Sequence, residues 1–404
     1  MNEAAITPMP LAGVRVLDLA TFLAGPFCST ILAEFGAEVI KVEQPGTGDP
    51  LRKFGTMTES GDSLVWLQES RNKRCVTLDL KSPRGKAMLE EMVQKSDVVV
   101  ENFRTGTLEK WGLGWDHLHT LNPKLIMLRV TGYGQTGPRA REPGFARIAH
   151  AFSGLTHLAG EPDGPPLMPG STTLADYLSG TYGALGTMMA LRSAEQTGVG
   201  QYIDVALYEP IFRFMDEMAP AYAFNGFVRE RMGADTVNVV PHSHYPTADG
   251  KWIAIACTSD KMFARLANAM EAPELAADDR YGKIDKRVAA RLEVNRIVSA
   301  WTSSLPQETL LALLSDGEVP SGPIYDIADI FNEPQYQARN DLVEMGDERI
   351  DSIIMPGVFP LLSRTPGEIK HLGRALGADN TDVYGDLLGL DADALEALRG
   401  DGII

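Results

Sequence analysis

Short apolar runs alternate with segments of helical spacing along the first third of the chain. Val14–Leu19 is apolar and predicts a strand. Pro26–Phe35 opens on Gly25-Pro26, ends at Gly36 and predicts a helix, and Glu38–Val42 predicts a second strand. Together they make a βαβ unit of about thirty residues, the building block of mononucleotide-binding sheets. The rhythm recurs. Cys75–Leu80 predicts a strand and Ser82–Lys95 a helix, with Ser82 as cap and Pro83 in the first turn. Val98–Glu101 and Leu125–Val130 are further strands, separated by a broken helix over Thr107–Leu121. An α/β fold follows, with a parallel sheet covered by helices on both faces.

Beyond the strands lies an apolar helical stretch, Leu174–Leu191, fed by a Pro/Gly-rich loop over 163–170. It reads as a buried helix carrying one carboxylate, Asp176, near its start. Burying an unpaired charge is costly. Ser171, Thr172 and Thr173 are placed to cap this helix, and the positive end of its dipole favours the ionised acid. Asp176, Gly180, Gly183 and Thr187 share one stripe at helical spacing, so the carboxylate sits beside residues with almost no side chain. Two readings of that stripe stand on the residues alone. Either a ligand comes close to Asp176, or the aspartate caps a tight helix–helix contact.

The texture changes further on. Gly200–Leu207 is followed by a Met- and aromatic-rich helical stretch to Phe227, and 228–245 is irregular. Thr247-Ala248-Asp249-Gly250-Lys251 predicts a hairpin turn into Trp252–Cys257, and helical patterns run from Lys261 to Leu314. At 404 residues the chain exceeds what one core usually fills. A large domain over 1–227 and a small one over 228–330 are expected.

Composition narrows the classes. A net charge of −17 argues against a general nucleic-acid binder, whose affinity rests on neutralising phosphates. Three cysteines without CxxC spacing read as buried thiols in a reducing compartment. The stretch Met1–Pro10 lacks the basic and apolar regions of a signal peptide, and the polar groups within Leu174–Leu191 argue against a membrane span. The expectation is a cytoplasmic protein.

Several chemistries are excluded by what the motifs lack. The first turn, Ala20-Thr21-Phe22-Leu23-Ala24-Gly25-Pro26, has no glycine triplet, so Glu43 alone does not make a NAD site. His242-Ser243-His244 and His117-Leu118-His119 have no acidic or cysteine partner at metal-ligand spacing, so no metal site is expected. Neither a GxSxG elbow nor a phosphate-binding loop with its lysine occurs. What remains are turns able to hold a phosphorylated, adenine-bearing ligand: Asn72-Lys73-Arg74, Glu101-Asn102-Phe103-Arg104, Lys110 and Thr131–Pro138.

Read in order, several motifs resemble the class III coenzyme A transferases, the formyl-CoA transferase and carnitine CoA-transferase family. They are Leu11–Leu19, Ala24-Gly25-Pro26, Gly36–Glu43, Asn72-Lys73-Arg74, Glu101–Arg104, Leu174-Ala175-Asp176, Thr197–Val205 and Leu388-Gly389-Leu390. The resemblance implies a Rossmann-like large domain completed by the C-terminal 331–404, a small α+β domain between, and an interlocked homodimer. It implies that Asp176 is a nucleophile forming an acyl anhydride and then an aspartyl-CoA thioester, with water excluded. Coenzyme A and acyl-CoA are then substrates, with no permanently bound cofactor. The implied CoA contacts are Phe22, Leu23 and Ala24; Leu78 and Lys81; Asn102, Phe103, Arg104 and Lys110; and Thr131, Gly132, Tyr133 and Gly134.

This chain departs from the formyl-CoA pattern in three places. Gln44 replaces an arginine, Thr131 replaces a lysine, and Val237–His242 stands in place of a glycine-rich substrate loop. The last difference points away from formate and oxalate. Arg147 is a candidate for gripping a second carboxylate, which points to a dicarboxylic acid and a succinyl-CoA-like donor. The α-methylacyl-CoA racemases share the fold but need a histidine where Phe145 stands, and phenylalanine relays no proton. His150 reads as structural. A non-catalytic acyl-CoA-binding protein is the third reading, disfavoured by the retained Asp176.

Overall fold

The computed structural model describes residues 8–170 and 172–404. The early alternation becomes β1 (Arg15–Asp18), α1 (Ala24–Glu34), β2 (Glu38–Glu43), β3 (Lys73–Thr77), α2 (Pro83–Val93), β4 (Val98–Glu101) and β5 (Ile126–Thr131). A further helix α3 (Ala146–Phe152), the Asp176 helix α4 (Leu174–Thr197) and β6 (Tyr202–Ala206) follow. The six strands form one parallel sheet in the order β3-β2-β1-β4-β5-β6, that of doubly wound dinucleotide-binding sheets. Ser82 caps α2 as its composition predicts, its hydroxyl accepting the Gly85 amide at 2.9 Å. Left-handed Gly112 splits the expected Thr107–Leu121 helix into Thr107–Trp111 and Trp115–Leu121.

β1 to β5 are almost wholly buried, which is why Val98–Glu101 and the centres of its neighbours read as apolar runs, while β6 at the sheet edge exposes Tyr202 and Asp204. On one face Leu17, Ile40, Val76 and Met127 pack with Met88 and Leu89 of α2 and with Val383, Tyr384 and Leu398 of the C-terminal segment. On the other face α1 packs against α4. The C-terminal segment also completes the sheet edge. Cys75 and Thr77 donate their amides to the side chains of Asp379 and Asn380, at 2.7 and 2.8 Å.

The chain divides into two compact units. One holds the residues up to Thr156, then Met168–Ala223 and Gln337–Ile404. The other holds His157–Leu167 and Phe224–Tyr336. The second unit has its own core, built on an antiparallel sheet of β7 (His242–Pro246), β8 (Trp252–Ala256) and β9 (Ser321–Pro323). Its β7–β8 hairpin turns through Thr247–Lys251, where the Thr247 amide donates to the Lys251 carbonyl at 3.0 Å. No described helix is long and apolar enough to cross a membrane.

Two expectations change. The Asp176 helix is not buried all round: Leu185 and Met189 are 49% and 62% exposed, leaving one apolar side uncovered in the single chain. The Asn72-Lys73-Arg74 turn is not a ligand loop, because Lys73 and Arg74 already belong to β3 at its N-terminal end. Lys73 is a buried counter-charge, its ammonium 3.0 Å from Asp18 Oδ2 and donating to the Pro26 carbonyl at 2.7 Å.

Candidate active site

The small-residue stripe of α4 is a helix contact. A Cβ added at Gly180 would lie 2.7 Å from the Ala24 carbonyl oxygen, and one at Gly183 would lie 2.6 Å from Leu128 Cδ2. Only glycine lets α4 come this close to α1 and the sheet. The stripe therefore does not make room for a ligand along its length; it seats the helix so that Asp176 stands at the top of the contact.

Asp176 is the third residue of α4, in its first turn. Its amide is spent on the Thr173 carbonyl at 3.0 Å. Its carboxylate has no hydrogen-bonding or ion-pair partner among the described residues, and burial pushes its pKa up to about 6. Of the expected caps, Thr173 is the N-cap residue and makes no side-chain hydrogen bond, while Ser171 lies outside the described residues. The imidazole of His150 takes over, with Nε2 accepting the Ala175 amide at 3.0 Å. The structural role expected of His150 is this bond, which no local pattern specifies because 25 positions separate it from Ala175.

The positions expected to meet CoA gather at the C-terminal ends of the parallel strands, where such sheets bind ligands. β1 and β4 are neighbours at the point where strand order reverses, and Asn102 ties them together. Its side-chain oxygen accepts the Thr21 amide at 2.8 Å and its side-chain NH₂ donates to the Thr21 carbonyl at 2.7 Å. Phe22 holds a left-handed backbone with φ 61°, its amide donating to Asp49 Oδ1 at 3.1 Å. Beneath it, the buried Lys41 ammonium pairs with Asp49 at 2.8 Å and donates to the Ala20 carbonyl. The turn is held by these hydrogen bonds and this buried ion pair. Of the three residues expected there, only Phe22 is exposed; Leu23 and Ala24 are core.

Leu78, Lys81 and Phe103 come together with Lys41, Gln44 and Trp111 around a cleft of about 90 Å³. Lys110 is exposed on the short helix beside it. Arg104 is held by donating to the Arg141 carbonyl at 2.9 Å, and Thr105 donates to the Gly134 carbonyl at 3.3 Å, joining that turn to the next. The Thr131 hydroxyl accepts the Gly134 amide at 2.9 Å, closing the loop after β5. Gly132 lies against Gly144, where a Cβ would sit 2.8 Å from the Gly144 Cα, and Tyr133 packs edge-on to Phe152. The loop after β5 is thus bonded to the segment that leads into α3. Arg147 and His150 lie three positions apart on α3, one helical turn. Arg147 is exposed and has no ion-pair partner among the described residues. Val237–His242 belongs to the second unit, where the Val237 and Val240 carbonyls accept from Arg291 and Arg287 at 2.6 and 2.8 Å.

A desolvated carboxylate suits acyl chemistry, and the sequence profile of CoA-transferase family III matches residues 11–380. The chain belongs to CoA-transferase family III. The transferase is 53% identical over its full length to the whole of the succinyl-CoA–L-malate CoA-transferase β subunit of Chloroflexus aurantiacus. It is 44% identical to that organism's succinyl-CoA–D-citramalate CoA-transferase, over 98% of each chain. Among solved structures it resembles a CAIB/BAIF family protein from Brucella suis, with a TM-score of 0.82 and 32% identity, over 94% of this chain and 100% of that one.

Proposed function

We propose that this transferase moves coenzyme A from succinyl-CoA to a dicarboxylic acid of the malate or citramalate type, with Asp176 as nucleophile. The desolvated Asp176 carboxylate, without a partner among the described residues, carries the reading. It attacks the thioester carbonyl of succinyl-CoA, the C–S bond breaks, and a succinyl-aspartyl anhydride and CoA thiolate result. The thiolate attacks the Asp176 carbonyl, forming aspartyl-CoA thioester and releasing succinate. The acceptor carboxylate then attacks this thioester, regenerating thiolate and a second anhydride. Attack of thiolate on the acceptor's carbonyl yields the new acyl-CoA and frees Asp176. A nucleophile near pKa 6 is ionised at neutral pH and is more nucleophilic than an ordinary carboxylate.

The relatives' named substrates support the succinyl donor and the four- or five-carbon dicarboxylic acceptor. Arg147, charged, exposed and without an ion-pair partner among the described residues, is the residue proposed to hold the distal carboxylate. The CoA contacts are proposed at Phe22, the Leu78–Lys81 and Asn102–Arg104 turns, Lys110 and Thr131–Gly134. Two copies of the chain are proposed to interlock, which would cover the open Leu185 and Met189 side of α4.

The racemase reading loses ground on geometry. Phe145 occupies the proton-relay position at 71% exposure, and the His150 lone pair is already committed to the Ala175 amide. The deciding experiment offers succinyl-CoA in deuterated water with mono- and dicarboxylic acceptors, read by mass spectrometry. The expected product is the CoA thioester of malate or citramalate, formed only with acceptor and without deuterium at the α-carbon. Deuterium washed in without acceptor would replace transferase by racemase, and transfer to formate or oxalate alone would overturn the acceptor class.

A further inference from the structure

His150 is fully buried and bridges three segments. Its own helix is α3. Nε2 accepts the Ala175 amide of α4 at 3.0 Å, and Nδ1 lies 3.1 Å from Met168 Sδ in the loop that feeds α4. A backbone amide can only donate, so Nε2 is the unprotonated nitrogen and Nδ1 carries the hydrogen. Burial and the neighbouring Arg147 guanidinium both lower its pKa, which keeps the ring neutral.

A helix start leaves its first amides without intrahelical partners, and a Ser or Thr N-cap side chain usually takes the second or third. In α4 the N-cap is Thr173, with φ −96° and ψ 61°, and its hydroxyl engages neither. The third amide, that of Asp176, bends back to the Thr173 carbonyl, and among the described residues the second, that of fully buried Ala175, is met by His150. The residue after Ala175 is Asp176. We propose that His150 is a positioning residue for the nucleophile: its neutral imidazole replaces the missing cap and fixes the turn from which the Asp176 carboxylate projects. This rests on the reading of Asp176 as nucleophile.

A cap supplied from another helix has a consequence that a local Ser or Thr cap lacks. It makes the Asp176 backbone answer to α3, the helix that carries Arg147, so the nucleophile and the proposed acceptor-binding arginine are held in one frame. Misplacing a reacting group by a fraction of its bond length to the substrate slows the chemical step while leaving remote CoA contacts intact.

The test compares His150→Leu, which removes the acceptor, with His150→Gln, whose amide oxygen reaches the position of Nε2. Single-turnover formation of the aspartyl-CoA thioester from succinyl-CoA is followed by mass spectrometry, alongside Kd for CoA and the thermal midpoint. His150→Leu is expected to form the intermediate at least about tenfold slower with CoA affinity within about twofold of wild type, and His150→Gln to recover most of the rate. A wild-type rate in His150→Leu, or a His150→Gln as slow as His150→Leu, overturns the proposal. Should His150→Leu not fold, ¹⁵N-histidine spectra of the wild-type protein decide: an unprotonated Nε2 at neutral pH together with rescue by Gln supports the cap, and a protonated Nε2 refutes it. Asp176→Ala run in parallel separates the two readings. Turnover by that variant refutes the nucleophile and this proposal with it, whereas a dead Asp176→Ala beside an unimpaired His150→Leu refutes the positioning role alone.

Discussion

Asp176→Asn should abolish transfer and at the same time stabilise the protein. The substitution keeps the shape of the side chain and removes its charge. In the native chain, burial moves this carboxyl from its ordinary 3.8 up to about 6, because the ionised form has left water without gaining a partner. A displacement of that size corresponds to about 3 kcal/mol of free energy charged against the folded state. The sign follows from linkage. Above pH 6 the acid is ionised in both folded and unfolded chains, and the folded one bears the whole cost. Between pH 6 and 4 the folded form takes up its proton first and the cost fades; below pH 4 it is gone. Asp176→Asn should therefore raise the thermal midpoint by several degrees at pH 7, with the gain shrinking towards zero near pH 4. Scans at fixed protein concentration measure this without assuming a two-state transition. Succinyl-CoA turnover of the same sample should fall roughly 10³-fold or more, as expected on losing a nucleophile. Wild-type kcat/KM should decline as pH falls through about 6. An unchanged midpoint at pH 7, or a gain that persists at pH 4, would show that Asp176 is not desolvated. Near-normal turnover would end its assignment as nucleophile.

Two other perturbations test the frame around it. Gly180→Ala drives a methyl to 2.7 Å from the Ala24 carbonyl oxygen, so α4 must shift, at a cost of roughly 1–3 kcal/mol set against about 1 kcal/mol of helix propensity. A lower thermal midpoint and slower intermediate formation are expected, while Gly186→Ala, whose nearest neighbour is the Ile203 side chain at 3.2 Å, should be close to neutral in both assays. Equal behaviour of the two variants would refute the close approach at Gly180. Arg147→Ala should weaken dicarboxylic acceptors far more than monocarboxylic ones, by at least about tenfold in relative kcat/KM, since truncating a charged partner costs roughly 2–5 kcal/mol. An equal loss for both acid classes would leave the acceptor preference without this residue behind it.

What the linear order of residues determined here is whatever rests on local periodicity. The central parallel strands are legible because they are buried on both faces and are therefore mostly apolar, as in Val98–Val100 and Ile126–Leu128. Ser82-Pro83 marks a helix start, and Asp176 stands out as a lone charge on an apolar stretch, because those signals lie within a single turn of chain. Tertiary structure decided the rest. The glycine stripe looks the same in sequence whether it faces a ligand or a helix; only the packing of α1 showed that Ala24 and Phe27 fill it. Lys73 reads as part of a turn able to hold a phosphorylated ligand until Asp18, from a strand 55 positions earlier, appears 3.0 Å away in the core. Ser171–Thr173 are the caps that local sequence suggests for the Asp176 helix, and the amide of Ala175 donates to His150 on another helix. Hydrogen-bond acceptors are recognised by distance in space, and a chain folded over a doubly wound sheet brings together atoms that no spacing rule connects.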